Sequence, residues 1–274
     1  DTVLSRGLGD VYKRQTLPNG SKNWSENTLK KLSLREKIGQ MLIYRMNMRL
    51  KDISLSKWKE IVDLINSDGL GGIHLWYGEA SSSLTIMNKM QDMSKIPILF
   101  DADIEYGLHQ RFPKGTDLLP LMAIAATNNP NNAYDIGKII AKESRAVGIH
   151  WNFSPVVDVN NNPANPIINV RSFSEDPDMV IDYGIQFMKG LQDHGMLATA
   201  KHFPGHGDTE TDSHSSLAMI SSDSLRLWTL EIPPFQSMIN NGVDAVMVGH
   251  MHAPDYQPDS DIPASMDPFW VNDI

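Results

Sequence analysis

The chain has 274 residues and a formal net charge of −9, with 41% hydrophobic and 21% charged residues, a composition ordinary for a soluble globular protein. This acidity disfavours a nucleic-acid partner, because phosphate binding needs clustered basic residues and the 24 Lys and Arg are scattered. No apolar run approaches the roughly 20 residues that span a membrane. The absence of Cys excludes disulfides and thiolate metal sites, but it leaves both a cytoplasmic and a periplasmic or secreted location open.

The first residues are expected to be foreign to the natural protein. Residues 10–15 back-translate as GAT GTG TAT AAG AGA CAG, which resembles a transposon adapter used in preparing sequencing libraries. We therefore expect residues 1–15 to be an artefact and residues 16–274 to form one domain. The same hexapeptide in an independently cloned gene would contradict this expectation.

From about residue 23, short apolar runs alternate with longer amphipathic ones, which predicts alternating strands and helices. The predicted strands are 40–44, 72–76, 97–101, 150–154, 196–201 and 245–250. The predicted helices are 55–65, 82–93, 131–146, 180–193 and 225–240. The helix over 131–146 is expected to bury Ile136, Ile139 and Ile140 and to end at Gly148.

This alternation of strands and helices predicts the fold class. Alternating βα units imply parallel strands joined by right-handed crossovers. Polar clusters follow the predicted strands, which favours a TIM (β/α)8 barrel, because its chemistry collects at the carboxyl ends of the strands. Six strands predict an incomplete barrel with about six of the eight βα units. A doubly wound sheet is disfavoured, because no GxGxxG motif or Walker loop is present.

Carboxylates follow the third predicted strand. Asp101, Asp103 and Glu105 can accept hydrogen bonds from sugar hydroxyls or bind a metal, although such residues also cap loops and helices. A further polar cluster, 152–158, begins within the fourth predicted strand and ends at Asp158.

The stretch 160–178 is too rich in Asn and Pro for a regular element, so we expect a functional loop over the barrel mouth. Within it, two roles for Arg171 stand equal. It can clamp an anionic or hydroxyl-rich group, or it can stabilise the loop by pairing with Glu175 or Asp176.

Residues 201–214, KHFPGHGDTETDSH, concentrate three histidines and three acidic residues directly after an apolar run. Lys201 and His202 should emerge at the end of a strand, with the glycines opening a loop. Asp212 and His214 are one residue apart, so the carboxylate can fix the imidazole tautomer and favour its charged form. His214 is therefore a candidate general acid and base.

A metal site is the alternative for this segment, with His202, His206 and His214 as ligands together with nearby aspartates. His202 and His206 have the spacing of ligands on a helix. Pro204 and its neighbouring glycines argue against a helix there, so the metal site is disfavoured.

Several segments agree in order and spacing with one enzyme family. They are KHFPGHG followed by Asp212-Ser213-His214, the segment 34–41, Asp103-x-Glu105-x-Gly107 with Arg111-Phe112, the stretch 153–177, and 244–250. Together they resemble family 3 glycoside hydrolases of the β-N-acetylhexosaminidase type, and the resemblance runs from about residue 23 to the end. Departures at His109 and at Leu217-Ala218 bear on fine specificity.

This resemblance implies a TIM-barrel retaining β-glycosidase that takes N-acetylglucosamine in its first sugar subsite and needs no cofactor or metal. The implied sugar ligands are Asp103, Arg111, Arg171, Lys201 and His202. The resemblance further implies that His214, oriented by Asp212, donates a proton to the leaving oxygen. Relatives that lack the pair take this proton from a second domain, so the pair favours a hexosaminidase over a β-glucosidase.

A retaining mechanism also needs a carboxylate nucleophile. In the family this Asp follows the seventh strand, after a helix that begins like residues 267–274. We therefore expect the nucleophile on the order of a dozen residues beyond Ile274, and we expect this chain alone to be inactive.

The expected reaction of the intact enzyme is release of terminal β-linked N-acetylglucosamine from peptidoglycan fragments or chitooligosaccharides. The alternatives are a β-glucosidase, a phosphorylase of the same family or a non-catalytic sugar-binding barrel. A phosphorylase is considered because a histidine acid repels phosphate less than a glutamate would.

Overall fold

The computed structural model describes residues 21–214, 216–220, 224–256 and 262–273, so the expectation for residues 1–15 lies outside the described residues. The strands are β1 Ile43–Met48, β2 Gly72–Gly78, β3 Leu99–Ala102, β4 Trp151–Asn152, β5 Thr199–Phe203, β6 Ala218–Met219, β7 Ala245–Val248 and β8 Met251–His252. The helices are α1 Ser21–Lys31, α2 Leu34–Gln40, α3 Leu55–Asp63, α4 Ala80–Met93, α5 Leu121–Ala125, α6 Asn131–Ala146, α7 Pro177–Gln192, α8 Ser224–Arg226 and α9 Ile232–Asn240.

The strands of the two main sheets are parallel. Paired strands follow one another along the chain, except that β6, which pairs with β8 in a third sheet, lies between β5 and β7. One sheet has the order β1-β2-β3-β4 and a second pairs β5 with β7, while the bridge between Trp151 and Leu197 joins β4 to the residues just before β5. A doubly wound sheet would reverse direction along this order, which does not happen here. The predicted fold class, an incomplete TIM barrel with about six βα units, is confirmed.

The first predicted strand, 40–44, begins too early. Ser33 and Glu36 form a capping box that begins α2, and this helix continues to Gln40 before β1 starts at Ile43. The apolar run from Met41 to Ile43 is largely exposed and leads into the strand, so its apolar character does not mark a buried strand start. Helices α1, α2 and α5 and the short β6–β8 pair were not predicted.

The prediction for α6 was correct in its bounds and partly wrong in its buried face. Ile140 is buried and Gly148 adopts a positive φ of 85° just after the helix, as predicted, but Ile139 is 37% exposed. The buried face is instead centred on small residues. A Cβ on Gly137 would lie 2.3 Å from the Phe187 carbonyl oxygen, so α6 and α7 approach each other closely at this glycine.

The core fills the space between the strands and the surrounding helices. Its largest fully buried side chains include Phe100, Phe173, Phe187 and Phe235, which come from strands, loops and helices along the chain. Among the described residues, no helix combines the length and apolar character that a membrane crossing requires.

Candidate active site

The polar side chains predicted from the sequence gather at the carboxyl ends of the parallel strands. Asp103 and Glu105 follow β3, Lys201 and His202 lie in β5, and Arg171 lies in a short helical turn within the 160–178 loop. Because parallel strands end at the same edge, residues far apart in sequence meet there.

Lys201 lies at the centre of this cluster and is 2% exposed. Its Nζ atom is 2.7 Å from Oδ1 of Asp103 and 2.7 Å from Oε1 of Glu105. Burial alone would raise the pKa of each carboxyl. The Lys201 ammonium, joined at Glu105 by the Arg171 guanidinium, outweighs this effect, and both pKa values lie below their ordinary range, that of Glu105 far below. Both groups are therefore carboxylates at neutral pH.

Arg171 forms a bidentate ion pair with Glu105, with its Nε and Nη2 atoms 2.9 and 2.7 Å from the two carboxylate oxygens. Its Nη1 also donates to the Ile167 carbonyl at 3.0 Å. Of the two alternatives for Arg171, pairing with Glu175 or Asp176 is therefore wrong, because a buried carboxylate across the barrel mouth is a stronger partner than an exposed one nearby. The Arg171 Nη2 atom lies 3.5 Å from Nε2 of His202.

Asp158 fixes the position of His202. The Asp158 side chain is fully buried and accepts hydrogen bonds from the His202 Nδ1 at 2.7 Å and from the backbone N–H groups of His202 and His206. Burial alone would raise the pKa of Asp158, but His202 and His206 hold it below its usual range. With Nδ1 donating to Asp158, the Nε2 of His202 is left to face the site.

Asp101 and His74 form a buried pair beneath this cluster. The Nδ1 of His74 is 2.5 Å from Asp101, its Nε2 is 3.5 Å from Asp103, and its ring stacks on Phe153 with centroids 5.3 Å apart. Burial raises the pKa of Asp101, which the His74 contact opposes only in part. Sequence reasoning missed His74, since it lies within an apolar strand.

The loop 206–214 carries the second predicted group. His206 is buried, its Nδ1 lies 2.5 Å from the Thr209 hydroxyl, and its Nε2 lies 2.9 Å from the Ser213 hydroxyl. Burial lowers the pKa of His206. The backbone N–H of His206 also donates to Asp158. His206 therefore connects Ser213, through hydrogen bonds, to Asp158, the carboxylate that holds His202.

The predicted contact between Asp212 and His214 is present. Asp212 Oδ1 accepts hydrogen bonds from the His214 backbone N–H at 2.9 Å and from its Nδ1 at 2.7 Å. The His214 side chain is 77% exposed, in contrast to the buried Lys201 and Glu105. The ring therefore has a fixed carboxylate on one side and an Nε2 that is free to meet a ligand.

Arg111 lies at the Asp103 side of the cluster. Its Nη2 is 3.7 Å from Asp103 Oδ2, and its guanidinium lies over the Trp76 ring at 4.6 Å. The structure thus brings Asp103, Arg111, Lys201, Arg171 and His202 together, while their roles as sugar ligands stay predictions.

The geometry of the histidines bears on the disfavoured metal alternative. The rings of His202 and His206 are 5.8 Å apart and nearly perpendicular, and the Nδ1 of each is already hydrogen-bonded. Over the part of the chain that the structure describes, no group of three His, Asp or Glu side chains is arranged to hold a metal ion.

Comparison with known proteins places this arrangement in a family. Residues 33–274 match the model of the glycosyl hydrolase family 3 N-terminal domain. The chain is 32% identical over 235 residues to a β-N-acetylglucosaminidase/β-glucosidase from Cellulomonas fimi, and the match covers 85% of this chain and 40% of that protein.

Two solved structures share the fold. A family 3 β-N-acetylglucosaminidase from Paenibacillus sp. has a TM-score of 0.79 and 35% identity, with 87% of this chain and 46% of that chain covered. A β-glucoside phosphorylase has a TM-score of 0.86 and 26% identity, with 95% and 47% covered. The chain therefore spans less than half the length of each of these three relatives. The resemblance predicted from the sequence is confirmed, and the chain belongs to glycosyl hydrolase family 3, in its N-terminal domain.

Proposed function

We propose that the intact protein is a retaining β-N-acetylglucosaminidase and that this chain supplies its sugar-binding residues and its proton donor. The substrates are compounds with terminal β-linked N-acetylglucosamine, such as peptidoglycan fragments or chitooligosaccharides. The observation that carries the proposal is the 2.7 Å contact between Asp212 and His214. A histidine held by a carboxylate is suited to give a proton to a leaving oxygen and to take one back from water.

The buried cluster supports the sugar-binding part of the proposal. Asp103 and Lys201 offer an acceptor and a donor beside each other, which matches the hydroxyl groups of a sugar, each of which both donates and accepts. Because the Lys201 ammonium is already held by two carboxylates, these groups are preorganised and lose little freedom when a sugar binds.

The nucleophile is the part of the proposal that lies outside this chain. A retaining glycosidase needs a carboxylate about 5 Å from its acid, which forms a glycosyl-enzyme intermediate. We assign this role to an Asp that lies beyond Ile274, as the family pattern implies. The assignment of residues 16–274 to one domain and the roles of its site residues belong to the same proposal.

The test compares 4-nitrophenyl N-acetyl-β-glucosaminide with the corresponding β-glucoside on the intact protein. We expect the N-acetylglucosaminide to have the higher kcat/KM. We also expect NMR spectra recorded during the reaction to show that the sugar is released first as the β-anomer. Faster hydrolysis of the glucoside would make the enzyme a β-glucosidase. Binding of N-acetylglucosamine without any turnover would make it a sugar-binding barrel.

Phosphorolysis is the second candidate, favoured by the structural likeness to a β-glucoside phosphorylase. A histidine acid carries no negative charge to repel an entering phosphate, whereas a glutamate would. The same assay run with and without inorganic phosphate separates the two reactions. Formation of N-acetylglucosamine 1-phosphate at the expense of the free sugar would establish the phosphorylase.

A further inference from the structure

Three arginines converge on two adjacent aromatic rings at the carboxyl end of β2. The guanidinium carbons of Arg45 and Arg111 lie 3.9 and 4.6 Å from the Trp76 ring centroid, and that of Arg49 lies 4.9 Å from the Tyr77 centroid. A guanidinium over a ring uses its flat face, so the N–H groups at its edge stay available for a carboxylate, sulfate or phosphate.

Few of the described carboxylates lie close enough to pair with these arginines. Among the described residues, the single carboxylate within ion-pair distance of Arg111 is Asp103, at 3.7 Å, and Arg45 and Arg49 have none. Asp103 lies closer to Lys201, at 2.7 Å, so its charge is already matched. The Arg111 Nε is buried without a hydrogen-bond partner. A surplus of positive charge therefore lies beside the polar cluster around Lys201, although the chain as a whole has a net charge of −9.

The surplus lies at one end of the cluster. Contacts run from Arg111 to Asp103, then through Lys201 and Glu105 to Arg171. From Arg171 the contacts continue to His202, Asp158, His206 and Ser213, the residue next to His214. A sugar that spans this row with its glycosidic oxygen toward His214 turns its opposite side, carbons 4 and 6, toward the arginines.

We propose that Arg45, Arg49 and Arg111, held against Trp76 and Tyr77, form a subsite for an anionic group carried by the sugar itself. The group is a sulfate ester, phosphate ester or carboxylate on the carbon 4 or carbon 6 side, away from the bond that is cleaved. This inference rests on the proposed function for the identity of the sugar. It makes acidic β-N-acetylglucosaminides the preferred members of the proposed substrate class.

The experiment compares 4-methylumbelliferyl N-acetyl-β-glucosaminide with its 6-sulfate on the intact protein. The wild type should have the higher kcat/KM on the 6-sulfate. In Arg45→Gln the ratio of the two kcat/KM values should fall on the order of tenfold, the scale of one hydrogen bond to a charged group. The matched control, Arg35→Gln, removes the same charge from an exposed arginine paired with Asp68 and should leave the ratio unchanged. No preference in the wild type, or an equal change in both variants, would overturn the proposal.

A binding experiment distinguishes failure of this inference from failure of the proposed function. If neither substrate is hydrolysed, the proposed function fails, and calorimetry with N-acetylglucosamine and its 6-sulfate still tests the subsite. Tighter binding of the 6-sulfate that is lost in Arg45→Gln supports it, and equal binding of both sugars overturns it. Inorganic sulfate and phosphate are titrated in parallel, and binding as tight as that of the sugar sulfate would identify a site for a free ion and overturn the proposal. If Arg45→Gln fails to fold, Arg49→Gln takes its place.

Discussion

Asp212 accepts two hydrogen bonds from His214, one from the backbone N–H and one from the imidazole Nδ1, so that two residues of the same turn define the orientation of the ring. The backbone bond, followed by the ring bond, holds the pKa of Asp212 below its ordinary range. Asp212 is thus a carboxylate at neutral pH.

The first prediction concerns this carboxylate. In Asp212→Asn of the intact protein, kcat should fall about 100-fold with a smaller change in KM, because the amide neither fixes the tautomer nor stabilises the imidazolium. Steady-state kinetics on chitobiose measures it. Glu210→Gln changes an exposed acid of the same loop and serves as the control. A similar loss in both variants would mean that the loop as a whole matters rather than the pair.

The second prediction concerns Lys201. In Lys201→Met, the free energy of unfolding should fall by about 3 kcal/mol or more, because the buried Glu105 carboxylate and the partly buried Asp103 carboxylate lose their shared cation. Chemical denaturation measures the change. Adding Glu105→Gln removes one of the two stranded charges, so the double variant should lose less than the sum of the single variants. Additive losses would contradict a coupled network.

The third prediction is that low pH lowers the free energy of unfolding and that Glu105 accounts for part of the loss. The pKa of Glu105 in the folded state is lower than its unfolded value of about 4.3. Its contribution to the free energy of unfolding is therefore complete above pH 4.3 and is lost as the pH falls below about 4.3. The loss approaches about 1.4 kcal/mol per pH unit for one group. Asp101 acts in the opposite sense, because burial raises its pKa.

Unfolding free energies at pH 7, 5, 4 and 3 measure this effect. The wild type should lose stability below about pH 4.3, and Glu105→Gln should show a shallower slope over the same range. Equal slopes in the two proteins would show that other carboxylates account for the acid sensitivity.

The order of the strands in the two main sheets could be predicted, because most of them are short apolar runs with a polar cluster at the end. Lys201 and His202 were found for the same reason, since charged residues at the end of a buried strand stand out in the sequence. The Glu105–Arg171 pair could not be predicted, because 66 residues separate the two side chains and only the tertiary fold brings them together.

Two other parts of the site could not be predicted from the sequence, for related reasons. His74 lies inside an apolar strand, and its role depends on Asp101 of the neighbouring strand. Asp158 was noted as part of a polar cluster, but its three bonds to His202 and His206 depend on how the 201–206 turn folds over it. A polar residue within an apolar run signals a buried pair, while its partner is set by tertiary structure.

The fourth prediction concerns the close contact of α6 and α7. Gly190→Ala should destabilise the protein by about 1–3 kcal/mol, because its Cβ would lie 2.2 Å from the Tyr134 carbonyl oxygen and the two backbones must move apart. Gly184→Ala on the same helix is the control, since its nearest neighbour is a Val157 methyl at 3.2 Å, which can yield. Thermal and chemical unfolding of both variants measure the difference, and equal effects would contradict a backbone contact between the two helices at Gly190.

The last prediction tests whether His214 gives its proton to the leaving group. A nitrophenolate departs readily without a proton, whereas a sugar alkoxide does not, so His214→Ala should slow the cleavage of chitobiose far more than that of 4-nitrophenyl N-acetyl-β-glucosaminide. The expected loss on chitobiose is about 100-fold or more, the usual contribution of general acid catalysis. The His214 ring is largely exposed, so the substitution leaves the buried cluster intact and the stability nearly unchanged. An equal loss on both substrates would show that His214 acts by binding the sugar rather than by transferring a proton.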